Sequence, residues 1–177
     1  AEMPILVPTL LFVILLSLFI LLRNLTAVAS SLIVIIFSVI TSLGILGHFN
    51  TTVSQPIIMV PILVATLAVA DCVHLFNVYF QNKLKSNTKD SITKSLELNL
   101  EPLLLTSLTT SIGFLCLNLA PIPALRVIAN GIAIGVVAAF IFSIFFLAPL
   151  LSFFNVKASS QIENQTKLSR RVGQFSL

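Results

Sequence analysis

Long apolar blocks recur along the chain, and short polar links separate them. Each block has the roughly 20 residues that a helix needs to cross about 30 Å of hydrocarbon. Only helices and closed barrels satisfy their backbone groups in lipid, and these blocks are too long and too uniformly apolar for barrel strands. The pattern therefore predicts an all-α membrane protein. We expect about five transmembrane spans, at about residues 4–22, 27–46, 57–80, 102–120 and 125–153.

The links between the later spans carry their own signals. Residues 81–101 are hydrophilic, but Ile92 and Leu96 recur at helical spacing, which indicates one short amphipathic helix at the membrane interface. Pro102 is suited to the first turn of a helix, so we expect it to open the fourth span. The rigid Pro121-Ile122-Pro123 turn then separates the fourth span from the fifth.

Composition agrees with a lipid solvent. Hydrophobic residues make up 57% of the chain and charged residues only 9%, whereas a soluble domain has about 25% charged residues. We therefore expect one transmembrane helical domain over residues 1–154, followed by a polar cytoplasmic tail over residues 155–177.

The positions of Lys and Arg predict an orientation. Nine of them fall on one side of the predicted topology, and only Arg126 falls on the other. By the positive-inside bias, the N-terminus lies outside and the C-terminus in the cytoplasm. The net charge of +4 is spread over links and tail and does not form one basic stripe, so we expect no nucleic-acid partner.

Several classes of function lack their signals in this sequence. Cys72 and Cys116 both lie within apolar blocks, where a thiol most often acts as a small buried hydrophobe, so we expect no disulfide and no metal site. The sequence has no nucleotide-binding glycine loop and no nucleophile elbow. We expect a protein that is not an enzyme and needs no cofactor.

Asp71 is the one acidic residue within a predicted span, and it lies near the middle of the membrane. A carboxylate there costs about 2.5 to 3.5 kcal/mol on insertion scales, so it must face the bundle interior, pair with another group or stay protonated. His74 follows three residues later on nearly the same helical face. The pair is a candidate proton relay; alternatively, both side chains only hydrogen-bond to neighbouring helices and hold the bundle together.

Small and hydroxylated residues supply candidate partners. Span four carries a cluster of hydroxyls, from which we select Thr106, Thr109 and Thr110 as the polar partners of Asp71. Such hydroxyls also serve commonly as packing elements. We expect Gly113, Gly131 and Gly135 to let helices approach closely, the last two as a G-x-x-x-G step in span five.

Three segments together resemble a known superfamily. Residues 70–75 read ADCVHL, residues 101–114 read EPLLLTSLTTSIGF, and the Pro121-Ile122-Pro123 turn precedes Gly131 and Gly135. In order and spacing they are similar to the fourth, fifth and sixth helices of RND-superfamily proteins. The resemblance is greatest to the MMPL-like, predicted-exporter branch, which is related to Patched and to sterol-sensing domains. It extends to about Phe154 and implies helices two to six of one six-helix membrane half.

The resemblance also implies a function. An acidic residue on the fourth helix of that superfamily relays the protons that drive export of lipids or other hydrophobic compounds, and Asp71 occupies the matching position. Many relatives carry a second acid or a tyrosine next to it, where this chain has Cys72. A whole member has two halves with large extracytoplasmic domains, so we expect a fragment or a partial subunit that pairs with a second membrane half or other subunits. The implied location is the bacterial inner membrane.

Three functions remain open at this point. The leading hypothesis is the membrane portion of a proton-driven RND-type exporter of lipid-like or hydrophobic compounds. The alternative is a sterol-sensing-like membrane module that binds lipid or a partner and regulates without coupled transport. The third is a structural membrane anchor. All three have membrane lipids as partners.

Overall fold

The computed structural model describes residues 3–22, 24–49, 55–83 and 87–154. Its five helices are α1 (Met3–Leu22), α2 (Leu25–His48), α3 (Met59–Lys83), α4 (Thr88–Cys116) and α5 (Pro123–Phe154). Short 3-10 turns occupy Gln55–Ile58 and Leu117–Leu119. The described ranges contain no strand, so the prediction of an all-α fold is confirmed.

Four of the helices are long and apolar enough to cross a membrane. These are α2, α3, α4 with its following 3-10 turn, and α5 up to Leu151. Helix α1 contributes a shorter apolar stretch, Phe12–Leu22. The protein is therefore an integral membrane protein with four to five spans. The predicted polar tail, residues 155–177, lies outside the described residues.

Helix α4 differs from its predicted form. The amphipathic segment after residue 87 is helical, as expected, but it is not a separate helix, and Pro102 does not open the fourth span. Instead α4 continues through Pro102 from Thr88 to Cys116. A proline removes one backbone hydrogen bond, which membrane helices tolerate because neighbouring helices and Ser or Thr side chains compensate. The interfacial segment and the fourth span are thus one continuous element.

Helix α5 lies at the centre of the bundle and packs against α2, α3 and α4. Helix α3 also packs against α2 and α4, while α1 lies at the edge and contacts α2 and α3. Large buried aromatic side chains, Phe76, Tyr79 and Phe80, fill one end of α3, and the rings of Phe76 and Phe80 stack with centroids 5.7 Å apart. Helix α3 therefore contacts α1, α2, α4 and α5.

Helix α4 carries its polar residues on the buried face and its large apolar residues on the outer face, as expected for a helix in lipid. Its buried face repeats every fourth residue and is mostly small and polar: Ser91, Ser95, Asn99, Leu103, Ser107 and Ser111. Its outer face carries large apolar side chains, including Leu104, Leu105, Leu108 and Ile112. Small residues let helices approach, and their hydroxyls form the interhelical bonds. Ser95 donates to the Leu75 carbonyl of α3 at 2.7 Å, and Ser42 of α2 donates to the Gly131 carbonyl of α5 at 2.6 Å.

Candidate functional site

A cavity of about 460 Å³ lies between α3 and α4, and Val136 of α5 also lines it. We call it the α3–α4 groove. Ala70, Pro102 and Thr106 line it and are exposed, so it opens at the side of the bundle. Its polar lining residues are Asp71, His74, Asn99, Thr106, Ser107 and Thr110.

Asp71 lies at the midpoint of α3, twelve residues from Met59 and twelve from Lys83. At 1.5 Å per residue, that is about 18 Å from either end of the helix. Its side chain is 9% exposed, because Asp71 shares the buried face of α3 with Ala68 and Leu75. Within the described part of the chain, no side chain donates a hydrogen bond to this carboxyl group or forms an ion pair with it. The carboxyl group instead borders the α3–α4 groove.

His74 lies one helical turn further along α3 and also lines the groove. Unlike Asp71, it is exposed on the surface of the bundle. The structure therefore brings the two residues of the predicted proton relay to one groove, with the acid inside and the imidazole at the rim. Both stand on α3, so their spacing along one helix fixes their relative positions.

The three selected threonines of α4 do not share one environment. Thr106 and Thr110 line the groove, whereas Thr109 does not. Thr109 is exposed, and its hydroxyl donates to its own helix, to the carbonyls of Leu105 at 2.8 Å and Thr106 at 3.1 Å. The structure does not bring Thr109 to the groove, because one residue of helix rotates a side chain by about 100° and turns it away from Thr110.

Two polar groove residues, Asn99 and Ser107, were not selected from the sequence, although Ser107 belongs to the hydroxyl cluster of span four. Both are largely buried, 8% and 6% exposed respectively. Asn99 donates one of its two amide hydrogens to the Ser95 carbonyl at 2.8 Å, which leaves the second hydrogen able to donate and the side-chain oxygen able to accept. Their place in a stripe of small polar residues at four-residue spacing was visible in the sequence. That periodicity was the available signal.

The groove is rich in hydrogen-bond acceptors. Thr106 donates its single hydroxyl hydrogen to the carbonyls of Pro102 and Leu103, both at 3.0 Å, so its oxygen remains an acceptor. The Asp71 carboxylate and the Asn99 side-chain oxygen add further acceptors. Among the residues that the structure describes, no lysine or arginine lines the groove. The electrostatic character of the groove therefore favours groups that donate hydrogen bonds or carry positive charge.

The glycines divide into packed and open positions. A Cβ atom at Gly131 would lie 2.6 Å from Leu46 Cδ1, and one at Gly135 would overlap Val64 Cγ2. Both glycines thus lie where α5 approaches its neighbours most closely. At Gly113 a Cβ would meet no heavy atom within 4 Å, and the residue is exposed. Gly113 thus faces outward from α4 and has no close neighbour in the described part of the chain, so its role in close packing stays a prediction.

In the described ranges, no three His, Cys, Asp or Glu side chains are grouped so that they could hold a metal ion. Cys72 is buried, and Cys116 is exposed near the end of α4. What the α3–α4 groove offers is one carboxyl group, one imidazole, one amide and several hydroxyls around a laterally open space.

Comparison with known proteins gives a family for this arrangement. The family model described as the sterol-sensing domain of SREBP cleavage-activation matches residues 19–171, which include α2 to α5 and every residue of the groove. Curated proteins and solved structures give no significant match. Sterol-sensing domains are related to the RND and Patched proteins. A helical membrane bundle matched over most of its length identifies this chain as a member of the sterol-sensing domain family.

Proposed function

We propose that the protein is the membrane portion of a proton-driven exporter of the RND type, which moves lipid-like or hydrophobic compounds. The observation that carries the proposal is Asp71, a buried carboxyl group without a partner among the described residues, halfway along a membrane-spanning helix. An ionisable residue at this depth is costly and characteristically marks a proton or substrate pathway. The proposed mechanism involves binding and proton transfer and no covalent chemistry.

In this mechanism the Asp71 carboxyl group alternates between a protonated and an ionised state. With a proton bound, the carboxyl group is neutral and compatible with hydrocarbon; without it, the charge requires donors from neighbouring helices. Ser107 and Thr110 of α4 line the same groove and can donate their hydroxyl hydrogens. Loss and gain of the proton would therefore change the attraction between α3 and α4. His74 at the rim is placed to exchange protons with Asp71.

The shape of the groove supports a lipid-like substrate. It opens sideways, toward hydrocarbon, and Leu67, Leu103 and Val136 give it apolar walls beside the polar groups. A volume of about 460 Å³ falls within the range of roughly 300 to 1,000 Å³ typical of small-molecule pockets. An amphiphile can enter such a groove from the membrane without crossing water.

A second membrane half or another subunit completes the proposal. Thr66, Asn77 and Gln81 are exposed on the same face of α3 as His74. Polar side chains in membrane helices typically face other helices and not lipid. We propose a helical partner against the Asn77 and Gln81 end of this face, which leaves the groove beside Ala70 open to lipid, in a bacterial inner membrane with the basic loops on the cytoplasmic side.

The proposal is tested by Asp71→Asn in the complete transporter, with export of a fluorescent lipid analogue measured in cells under a proton gradient. We expect export to fall to background, because an amide cannot carry the proton. Asp90→Asn makes the same chemical change at an exposed position of α4 outside the groove and should export normally. A normal export rate in Asp71→Asn would rule out the relay.

The second candidate is a sterol-sensing-like module that binds lipid and regulates a partner without coupled transport. The family match and the lateral opening of the groove favour it. In this case Asp71→Asn leaves the regulatory activity intact, whereas Ala70→Phe abolishes it because the new ring fills the groove. Lipid binding without proton movement in proteoliposomes would support this candidate over the exporter.

A further inference from the structure

We propose that the α3–α4 groove takes amphiphiles with a cationic amine head group, held against the Asp71 carboxylate, and excludes anionic amphiphiles. The inference rests on the proposed function and deepens it, because it names the class of compound that the same groove binds.

The polar lining of the groove suits a ligand head group that donates hydrogen bonds better than one that only accepts them. The Asp71 carboxylate can accept only, and the Thr106 hydroxyl hydrogen is used by its own helix. One of the two Asn99 amide hydrogens is used by the Ser95 carbonyl, so Asn99 can still donate one hydrogen bond and accept others. Ser107 and Thr110 can both donate and accept, so they suit either kind of ligand. An ammonium group brings three donors to this set of acceptors, and a carboxylate or phosphate brings none.

The negative charge of the Asp71 carboxylate also favours a cationic amine head group. A buried carboxylate needs a partner of opposite charge, and the described residues that line the groove include no lysine or arginine. His74 lies at the rim and forms no ion pair with Asp71 within the described part of the chain. Of the other basic residues that the structure describes, none lines the groove: Lys83, Lys89, Lys94 and Arg126. An amine head group would supply the missing positive charge, whereas a second anion would be repelled.

The remaining walls accommodate the alkyl chain. Leu67, Leu103 and Val136 line the groove beside the polar groups, and the outer face of α4 continues with Leu104 and Leu108 toward lipid. An amine with a single alkyl chain can place its head at Asp71 and its tail along these side chains.

Three probes with the same alkyl chain test the inference, dodecylamine, dodecanol and dodecanoate, on the protein in lipid nanodiscs. Each competes with a dodecylamine analogue that carries a photoreactive diazirine, and mass spectrometry locates the crosslinks. We expect crosslinks on α3 and α4 and an affinity for dodecylamine about tenfold higher than for dodecanol, as one charge-assisted hydrogen bond allows. Dodecanoate should compete least. Asp71→Asn should reduce the affinity for dodecylamine to that for dodecanol. Asp71→Glu should keep the preference for dodecylamine.

Two variants separate the failure of this inference from failure of the proposed function. Ala70→Phe should remove competition by all three probes, because it fills the groove, whereas Thr109→Ala, outside the groove, should change nothing. Equal competition by the three probes, abolished by Ala70→Phe, would overturn the head-group preference and keep the groove as a lipid site. Crosslinks that avoid α3 and α4 would overturn both. A retained preference for dodecylamine in Asp71→Asn would also overturn the inference.

Discussion

Helix α3 has two very different interfaces. Toward α5 it is closed, since Gly131 and Gly135 have no side chains and Val60 and Val64, both 0% exposed, fill the space between the helices. Toward α4 it is held at one end by the Ser95 hydroxyl on the Leu75 carbonyl and opens into a groove of about 460 Å³ beside Asp71. The same helix thus takes part in a tight contact and in a cavity.

The difference separates stability from function. Packing energy in a membrane comes from close van der Waals contact between helices, because lipid gives no hydrophobic driving force between them. The α3–α5 interface supplies such contact, whereas the α3–α4 groove places polar groups around an open space, which costs stability. We therefore expect substitutions at the first interface to change folding, and substitutions in the groove to change ligand binding and proton transfer.

The largest effect is expected for Gly135→Leu. Even a Cβ at this position would lie 2.9 Å from Val64 Cγ1, and a leucine should lower the free energy of unfolding by about 3 kcal/mol. Thermal denaturation in detergent measures the loss. Gly113→Leu is the matched control, because a Cβ there meets nothing within 4 Å. If both variants lose stability equally, the contrast between closed and open faces does not exist. Val64→Ala combined with Gly135→Ala should recover part of the loss of Gly135→Ala alone.

Asp71→Asn should raise the free energy of unfolding, whereas Gly135→Leu should lower it. A charged residue at the centre of a membrane helix costs about 2.5 to 3.5 kcal/mol, and an amide avoids part of this cost, so we expect a gain of about 1 to 2 kcal/mol. The same denaturation experiment measures it, with Asp90→Asn as the exposed control. A loss of more than about 1 kcal/mol would indicate that the carboxylate makes a stabilising pair, and the groove would then be part of the scaffold.

The sequence predicted the class of the fold and the central acid for one physical reason. In hydrocarbon, long apolar blocks must be helices and a lone carboxyl group must turn inward, so the approximate positions of the helices and the burial of Asp71 follow from solvation alone. The side chains around Asp71 do not follow from it. Lipid and helix interior are both apolar, so hydropathy does not show which face of α4 looks inward. Thr109 and Gly113 were consequently assigned to the interior although both are exposed. The small polar stripe from Ser91 to Ser111 gives the correct face.

A smaller effect is expected for Ser95→Ala, at the closed end of the groove. The variant removes the hydrogen bond between α4 and α3, and such interhelical bonds contribute about 0.6 kcal/mol on average in a membrane protein. Ser91→Ala is the matched control, since that hydroxyl bonds only to the Asn87 carbonyl next to its own helix. Equal unfolding free energies of the two variants would mean that Ser95 does not hold α3 against α4. Looser binding of amphiphiles in Ser95→Ala alone would show that this contact also sets the width of the groove.

The smallest and most specific test compares Thr106→Ala with Thr109→Ala. Both hydroxyls donate to carbonyls of their own helix and both residues are exposed, so neither substitution should change the unfolding free energy by more than about 0.5 kcal/mol. Of the two residues, Thr106 lines the groove and Thr109 does not. Loss of the Thr106 oxygen removes from the groove one acceptor for a hydrogen bond from the ligand. We expect amphiphile affinity to fall about twofold to fivefold in Thr106→Ala, equivalent to roughly 0.5 to 1 kcal/mol for one hydrogen bond. Thr109→Ala should bind as the parent does. Because the two variants share helix, residue type and backbone bonding, a difference in binding between them can come only from the face of α4 on which each lies.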